Sequence, residues 1–249
     1  MDHPLKVAVI GARGRMGQAC VEAVRSADGM ELVAATDLGD PVMDVVEAGA
    51  DVAIDFTSPD AVMPTLETCI RSGVHCVVGT TGFTDERLEQ VREWCRQSPT
   101  VGVVVAPNFG IGAVLMTRFA VMAAPYFESV EIIELHHPDK VDAPSGTATH
   151  AAAAIAAARA GRPPAPDATI HEVPGARGAR IDGVPVHSIR SRGLVAHQEV
   201  LLGGLGETLS IRHDSLDRTS FMPGVLLAVR TVPSRPGLTV GLADLLDLS

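Results

Sequence analysis

Residues Leu5–Gly17 read LKVAVIGARGRMG, a short β-branched run followed at once by three glycines spaced GxxGxxG. An apolar run of this length ending in glycine predicts a buried parallel strand over Leu5–Ile10. Helical spacing of Met16, Cys20, Val21 and Val24 follows, so the glycines sit where a strand turns into a helix. A dinucleotide fingerprint requires that context: glycines let the backbone approach a pyrophosphate, and the helix N-terminus faces it with unpaired N–H groups. The spacing departs from GxGxxG, and an ordinary tight βα turn is the competing reading. On the first reading Gly11, Ala12, Arg13, Gly14, Arg15 and Met16 are candidate cofactor-binding residues.

The alternation continues outward from that loop. Leu32–Thr36, Val52–Phe56, His75–Val78 and Val101–Val105 read as strands, with helical patterns at Pro59–Arg71 and Thr84–Gln97 between them. Strand–helix alternation predicts an α/β protein with a Rossmann-like, doubly wound parallel sheet. After Pro107 the pattern changes. A helix is expected over Gly112–Ala124, a strand over Ser129–Leu135 and an alanine-rich helix over Thr147–Ala160. Arg162–Asp167, RPPAPD, forbids regular structure. Val184–Ile189, Leu194–Leu202 and Glu207–His213 suit an antiparallel sheet. Ser220–Thr231 returns to a helical pattern, and Leu238–Leu246 reads as a short amphipathic end. The expected organisation is a dinucleotide-binding domain of residues 1–107 plus 216–249, with an α+β domain for substrate binding and oligomerisation, 108–215, inserted in it.

Ligands of doubly wound sheets sit beyond the carboxyl ends of the strands. Asp55-Phe56-Thr57, Gly79-Thr80-Thr81 and Ala106-Pro107-Asn108-Phe109 each follow a predicted strand, and together they make a candidate nicotinamide wall. Singly, each reads as a turn. Asp37 closes the second strand, where a carboxylate accepts from the ribose hydroxyls of NADH and repels the extra phosphate of NADPH. Capping its own loop is the alternative role. Arg13 and Arg15 pull toward phosphate.

The chemistry gathers in Glu134–Ala148, ELHHPDKVDAPSGTA. As histidines, His136 and His137 can change charge near neutral pH, and Lys140 carries a fixed positive charge. Ser145, Gly146 and Thr147 bring hydroxyls and N–H groups to the start of a helix, which favours an anion. A small carboxylate or phosphate that accepts a proton fits such a site. Metal binding is the rival for the histidines, but HHPDK lacks HExxH spacing and no cysteine pair is near, so no metal site is assigned.

Composition narrows the classes. The 249 residues are 46% hydrophobic and 20% charged, with a formal net charge of −10 and only 3% aromatics. Nucleic-acid binding is disfavoured for want of a basic face or stacking aromatics. Cys20, Cys69, Cys76 and Cys95 form no CxxC pair and read as buried apolar side chains in a reducing, cytoplasmic setting. MDHPLKVAVIG has no signal-peptide layout, and no apolar run reaches the roughly 20 residues of a membrane span.

The motifs are similar, in order and spacing, to those of the dihydrodipicolinate reductases, also called 4-hydroxy-tetrahydrodipicolinate reductases. ELHHPDKVDAPSGTA, GARGRMG, DFTSPD, VVGTTGF and APNFGIGA carry the resemblance, which runs to the closing LLDL. It implies NADH- or NADPH-dependent hydride transfer to a cyclic imine-type diacid in the diaminopimelate route to lysine. It also implies a homotetramer built through the inserted domain. His136 resembles that family's proton donor and Lys140 its second donor or charge clamp. His137, Gly146 and Thr147 match substrate positions; Gly11 to Met16, Asp37, Gly79 to Thr81 and Ala106 to Phe109 match cofactor positions. Arg13 stands where many members carry glycine, and Leu38 where some carry arginine. Two rival readings remain: another Rossmann-type oxidoreductase acting on a small amino-dicarboxylate, and a non-catalytic NADH sensor.

Overall fold

A computed structural model describes residues 3–246, which divide into two compact units, one reaching to Ile111 and resuming at Arg218, the other Gly112–Asp217. The first unit is built from β1 (Leu5–Ile10), α1 (Arg15–Ser26), β2 (Met30–Thr36), the short α2 (Met43–Glu47), β3 (Val52–Asp55), α3 (Val62–Arg71), β4 (His75–Val78), α4 (Asp85–Gln97) and β5 (Gly102–Val105). The second carries α5 (Ile111–Ala123), β6 (Ser129–His136), α6 (Gly146–Ala158), β7 (Ala179–Ile181), β8 (Val184–Arg190), β9 (Ala196–Gly204) and β10 (Glu207–Ser215). The chain then returns to the first unit with α7 (Met222–Thr231) and β11 (Gly237–Val240).

The first sheet has the order β11-β5-β4-β3-β1-β2, parallel throughout. Val7, Ala8 and Val9 have no exposed surface, and every residue of β3 and β5 is buried. Such strands read as unbroken apolar runs because helices cover both faces. In α3 the buried Val62, Leu66, Cys69 and Ile70 recur at one-face spacing,. Burying side chains of this size contributes about 1.5–3 kcal/mol each. Thr84 caps α4, its hydroxyl accepting from Arg87 N at 3.4 Å, with Asp85 and Glu86 in the positive first turn,.

The chain passes from β1 outward to β2, then crosses to β3 on the other side of β1. The strand order reverses there, and ligands bind beyond the carboxyl ends at such a point. The glycine loop lies at this reversal. Gly11 has φ +84°, and a Cβ on it would sit 2.6 Å from the Phe56 carbonyl oxygen; a Cβ on Gly17 would sit 2.0 Å from the Gly11 carbonyl oxygen. The first glycine makes the turn and the last lets α1 press onto it.

The second unit's sheet has the order β10-β9-β6-β8-β7. On β6 the buried side chains alternate: Val130, Ile132, Glu134. Small side chains on one face of α6 (Ala148, Ala151, Ala152, with Ile155) pack into the same core as Val130, Ile132, Val186, Val200 and Leu202.

Several sequence expectations need correction. The sheet expected to be antiparallel is mixed, because β6 and β8 run parallel with Ile132 opposite Val186; alternation shows which side chains face inward but not which neighbour a strand takes. Leu238–Leu246 is not an amphipathic end. Gly237–Val240 pairs in parallel with Gly102–Val105 as β11, and only Ala243–Leu245 forms a 3-10 turn. Gly237 opens this four-residue strand and Gly241 follows it. The helix expected from Ser220 begins as a 3-10 turn, Arg218–Phe221, and becomes α-helical at Met222. The short α2 and β7 escaped the periodicity reading because five and three residues are too few to show a period. Asp247 and Leu248 of the LLDL motif lie outside the described residues.

Candidate active site

In the first unit a pocket of about 320 Å³ opens at the strand reversal, lined by Gly14, Arg15, Met16, Phe56, Thr57, Pro59, Gly79, Thr80, Thr81 and Arg218. Gly14 is the N-cap of α1 and supplies no side-chain cap. The first N–H groups of the helix thus face the pocket with its positive dipole end, beside two guanidiniums. Arg218 was missed in the sequence because DRTSF carries no motif and only the returning chain brings it here.

The rest of the glycine loop is tied down. Gly11 N and Ala12 N both donate to Thr36 O at 2.9 Å, and Gly14 N to Gly11 O at 3.1 Å. Asp37 adopts the loop-capping role, accepting from Arg13 N at 2.6 Å and Leu38 N at 2.7 Å. These hydrogen bonds, Leu38's first, hold its carboxyl below the usual range, so it stays charged. Arg13 reaches Asp40 at 3.7 Å with its side chain 75% exposed.

Asp55 anchors the pocket wall. Its Oδ1 accepts from Thr57 N at 3.0 Å, Thr57 Oγ1 at 2.8 Å and Thr80 Oγ1 at 2.7 Å, while Oδ2 is buried without a partner. Burial raises its carboxyl pKa against these three hydrogen bonds. Phe56 and Phe109 pack at 5.8 Å between centroids and 56° between planes. Ala106 N donates to Val78 O at 3.0 Å, and Asn108 Oδ1 accepts from Gly110 N at 2.8 Å. Gly11 to Arg13, Asp37 and Ala106 to Asn108 thus shape the loops at this edge, and Gly14 to Met16 and Gly79 to Thr81 face the pocket itself.

In the second unit the registers of β8, β6 and β9 align Ser188, Glu134 and Gln198 across the sheet, with Arg190, His136 and Ala196 aligned two residues further along. The inward face is apolar along Val130 and Ile132 and turns polar at Glu134, a buried charge with no exposed surface. Arg190 holds it in a fork, NH1 to Oε2 and NH2 to Oε1, both at 2.8 Å. Ser145 N donates to Oε1 at 3.2 Å, and His136 Nδ1 lies 2.5 Å from Oε2. Burial alone raises the Glu134 pKa, but its hydrogen bonds from Arg190, Ser188 and His136 win and hold it low. Burial pulls the His136 pKa down more than the Glu134 carboxylate pulls it up.

Beyond β6, Lys140 Nζ pairs with Asp142 Oδ1 at 2.7 Å, and Gly146 N donates to Asp142 Oδ2 at 3.2 Å. Ser145 caps α6, its hydroxyl accepting from Ala148 N at 3.2 Å. The N–H groups expected to await an anion are therefore engaged by Glu134 and Asp142. The donors of Lys140 and the α6 N-terminus do converge on one carboxylate, and that carboxylate belongs to Asp142. Thr147 is the second residue of the same helix. His137 follows the end of β6, its carbonyl accepting from Lys140 N at 3.3 Å. The sequence reading missed Glu134 as a functional group, although a glutamate in an otherwise apolar inward row was its signal. It also missed Arg190, which is 56 positions away and gives no local sign.

A parallel sheet with an uncapped helix N-terminus and arginines at its reversal point, followed by an inserted mixed-sheet domain rich in proton donors, defines a Rossmann-type, nicotinamide-dependent oxidoreductase. A probable dehydrogenase from Thermotoga maritima shares that fold alone, with TM-score 0.62 at 14% identity, covering 97% of this chain and 92% of its own. The chain belongs to the dihydrodipicolinate reductase family. The family's N-terminal model matches residues 5–109 and its C-terminal model residues 112–246. Relatives named 4-hydroxy-tetrahydrodipicolinate reductase are 60% identical in Streptomyces avermitilis over 247 residues, covering 98% of this chain and 99% of the relative. In Mycolicibacterium gilvum the identity is 60% over 245 residues, covering 98% and 100%. The dipicolinate-bound dihydrodipicolinate reductase from Paenisporosarcina sp. TG-14 superposes with TM-score 0.89 at 40% identity, covering 98% of this chain and 100% of its own.

Proposed function

We infer that this chain reduces 4-hydroxy-tetrahydrodipicolinate to tetrahydrodipicolinate in the diaminopimelate route to lysine. The observation that carries the substrate assignment is the convergence of Lys140 Nζ and Gly146 N on the Asp142 carboxylate. That carboxylate stands in for one substrate carboxylate. The family membership and the dipicolinate held by the Paenisporosarcina relative support a dicarboxylate substrate.

The first unit's pocket fits a dinucleotide pyrophosphate: Arg15 and Arg218 supply charge, and the uncapped α1 start supplies N–H groups,. Gly11 to Met16, Asp37, Gly79 to Thr81 and Ala106 to Phe109 form the cofactor side. The bound nicotinamide supplies the hydride. Exchanging the substrate hydroxyl for hydrogen takes that hydride and one proton, and releases water. His136 delivers the proton; its neutral ring takes one from solvent at Nε2 when the dianionic substrate raises its pKa. Lys140 fixes one carboxylate and backs the proton supply. Ser145, Gly146 and Thr147 hold substrate at the α6 N-terminus, with His137 beside them.

NADH is used at least as well as NADPH, because the charged Asp37 disfavours a phosphate beside it and Leu38 offers no compensation. The same reading takes the protein to be a cytoplasmic homotetramer; the four free, buried cysteines fit a reducing compartment,. Among the described residues no helix is long and apolar enough to cross a membrane. The test is to follow absorbance of each reduced cofactor with freshly generated substrate. Substrate-dependent oxidation is expected with both. Oxidation with an alternative amino-dicarboxylate but not with this substrate overturns the assignment.

A further inference from the structure

Glu134 is a costly side chain to bury. It lies in the inward row Val130, Ile132, Glu134, where packing alone calls for an apolar residue, and it has no exposed surface. Burying a carboxylate costs several kcal/mol unless it is paired and hydrogen-bonded, and a buried ion pair is commonly no more stabilising than an apolar replacement. Stability alone therefore does not account for Glu134. Its partners suggest what does. Oε1 and Oε2 are gripped by the Arg190 fork, and Oε1 also takes Ser145 N, so the carboxylate cannot rotate. Arg190 is in turn fixed by donating to the Asp142 carbonyl at 2.7 Å and the Ile189 carbonyl at 2.9 Å. The remaining direction at Oε2 points to His136 Nδ1 at 2.5 Å.

An ionised carboxylate can only accept, so the His136 nitrogen facing it must carry hydrogen. The other ring nitrogen, Nε2, is then the one that takes and gives a proton. We propose that Glu134, clamped by Arg190, is a positioning residue that holds His136 as its Nδ1–H tautomer and so presents Nε2 as the proton-delivering atom. The proposal rests on the reading of His136 as proton donor.

The charged and titratable groups around His136 bear on any pH profile. On β6 and its following loop these are Glu134, His137, Asp139, Lys140 and Asp142; β8 contributes Arg190. On β9 the inward neighbour of Glu134 is the uncharged Gln198, and His197 takes the opposite side, opposite Leu135. At α6 the contact is Ser145, which is uncharged. The Glu134 carboxylate is the influence that raises the His136 pKa, whereas Lys140 and Arg190 lower it.

The test begins with the full-length wild type, ring-15N-labelled at histidine, with His136→Gln to assign its signals. Above its pKa, His136 should show a protonated Nδ1 and a bare Nε2. A neutral ring protonated at Nε2 overturns the proposal, and this readout needs neither substrate nor turnover. Glu134→Gln should then lower kcat at least tenfold, since loss of the tautomer-fixing carboxylate of a catalytic triad removes about 10⁴ in rate, while KM stays within about threefold. The limb of the pH–rate profile lost at high pH should move to lower pH. An unchanged profile with unchanged kcat overturns the positioning role. Should Glu134→Gln not fold, Arg190→Lys, which keeps the charge but loses the fork, should show the same direction of change. Full activity in His136→Gln would sink the proton-donor reading and leave the tautomer result standing on its own.

Discussion

Replacing Asp142 with alanine should tighten dicarboxylate binding. In the wild type the Asp142 carboxylate occupies Lys140 Nζ at 2.7 Å and Gly146 N at 3.2 Å, the two donors assigned to a substrate carboxylate. Substrate must displace it. The Asp142 side chain is 47% exposed, so the ion pair is discounted to roughly 0.2–1 kcal/mol,. The contact at the start of α6 adds roughly 0.3–1 kcal/mol. Their removal favours an incoming carboxylate by about 1 kcal/mol, a factor of roughly five. Loss of a nearby negative charge acts in the same direction. The hydrogen bond from Lys140 keeps the Asp142 pKa below its ordinary value. A depressed carboxylate pKa gives stability that is present above the unfolded value and lost as pH falls through the folded one. The gain should therefore be flat between about pH 6 and 8. Titration calorimetry with dipicolinate, on wild type and Asp142→Ala, reads it directly. Weaker binding in the variant, with its melting temperature preserved, would show that Asp142 positions these donors instead of competing for them.

Asp55→Asn keeps an acceptor for Thr57 and Thr80 and removes a carboxylate whose second oxygen is buried unpartnered. A raised carboxyl pKa favours the folded state at low pH and costs stability as pH rises through it, so the variant's stability relative to wild type should be greater at pH 7 than at pH 4,. Urea melts at both values check this, and a relative stability no greater at pH 7 than at pH 4 contradicts it. Arg218→Ala should weaken NADH and NADPH alike by about tenfold, as loss of one charge-assisted contact to the shared pyrophosphate, read by cofactor fluorescence titration; a change confined to NADPH would move Arg218 to the ribose end. In the wild type, kcat/KM should not favour NADPH by more than about a hundredfold, roughly 2.7 kcal/mol, or the argument from the charge of Asp37 fails.

The doubly wound unit was legible because its signals are local. Buried parallel strands are unbroken apolar runs, and the glycines of the first turn announce the helix that follows. What was missed depends on long-range pairing. β11 is four residues whose partner, β5, lies far back in the chain, and the parallel β6–β8 pairing follows from topology that alternation does not encode. The site divides the same way. His136, Lys140 and Ser145 to Thr147 stood out as a dense run of donors. Their mutual arrangement did not, because Asp142 folds back onto two of them. Arg190 and Arg218 acquire their places only through tertiary contacts, and Glu134 was hidden by its position in an otherwise ordinary strand.

The central assignment places cofactor binding in the first unit and proton delivery with carboxylate capture in the second. It is best measured by combining His136→Gln and Lys140→Ala in one full-length protein. NADH affinity, by fluorescence titration, should stay within about twofold of wild type, while substrate-dependent NADH oxidation falls by at least a hundredfold, since proton donation and a charge-assisted carboxylate contact each contribute on the order of 10- to 10⁴-fold. Near wild-type turnover in the double variant, or loss of NADH binding with it, would contradict that division of labour.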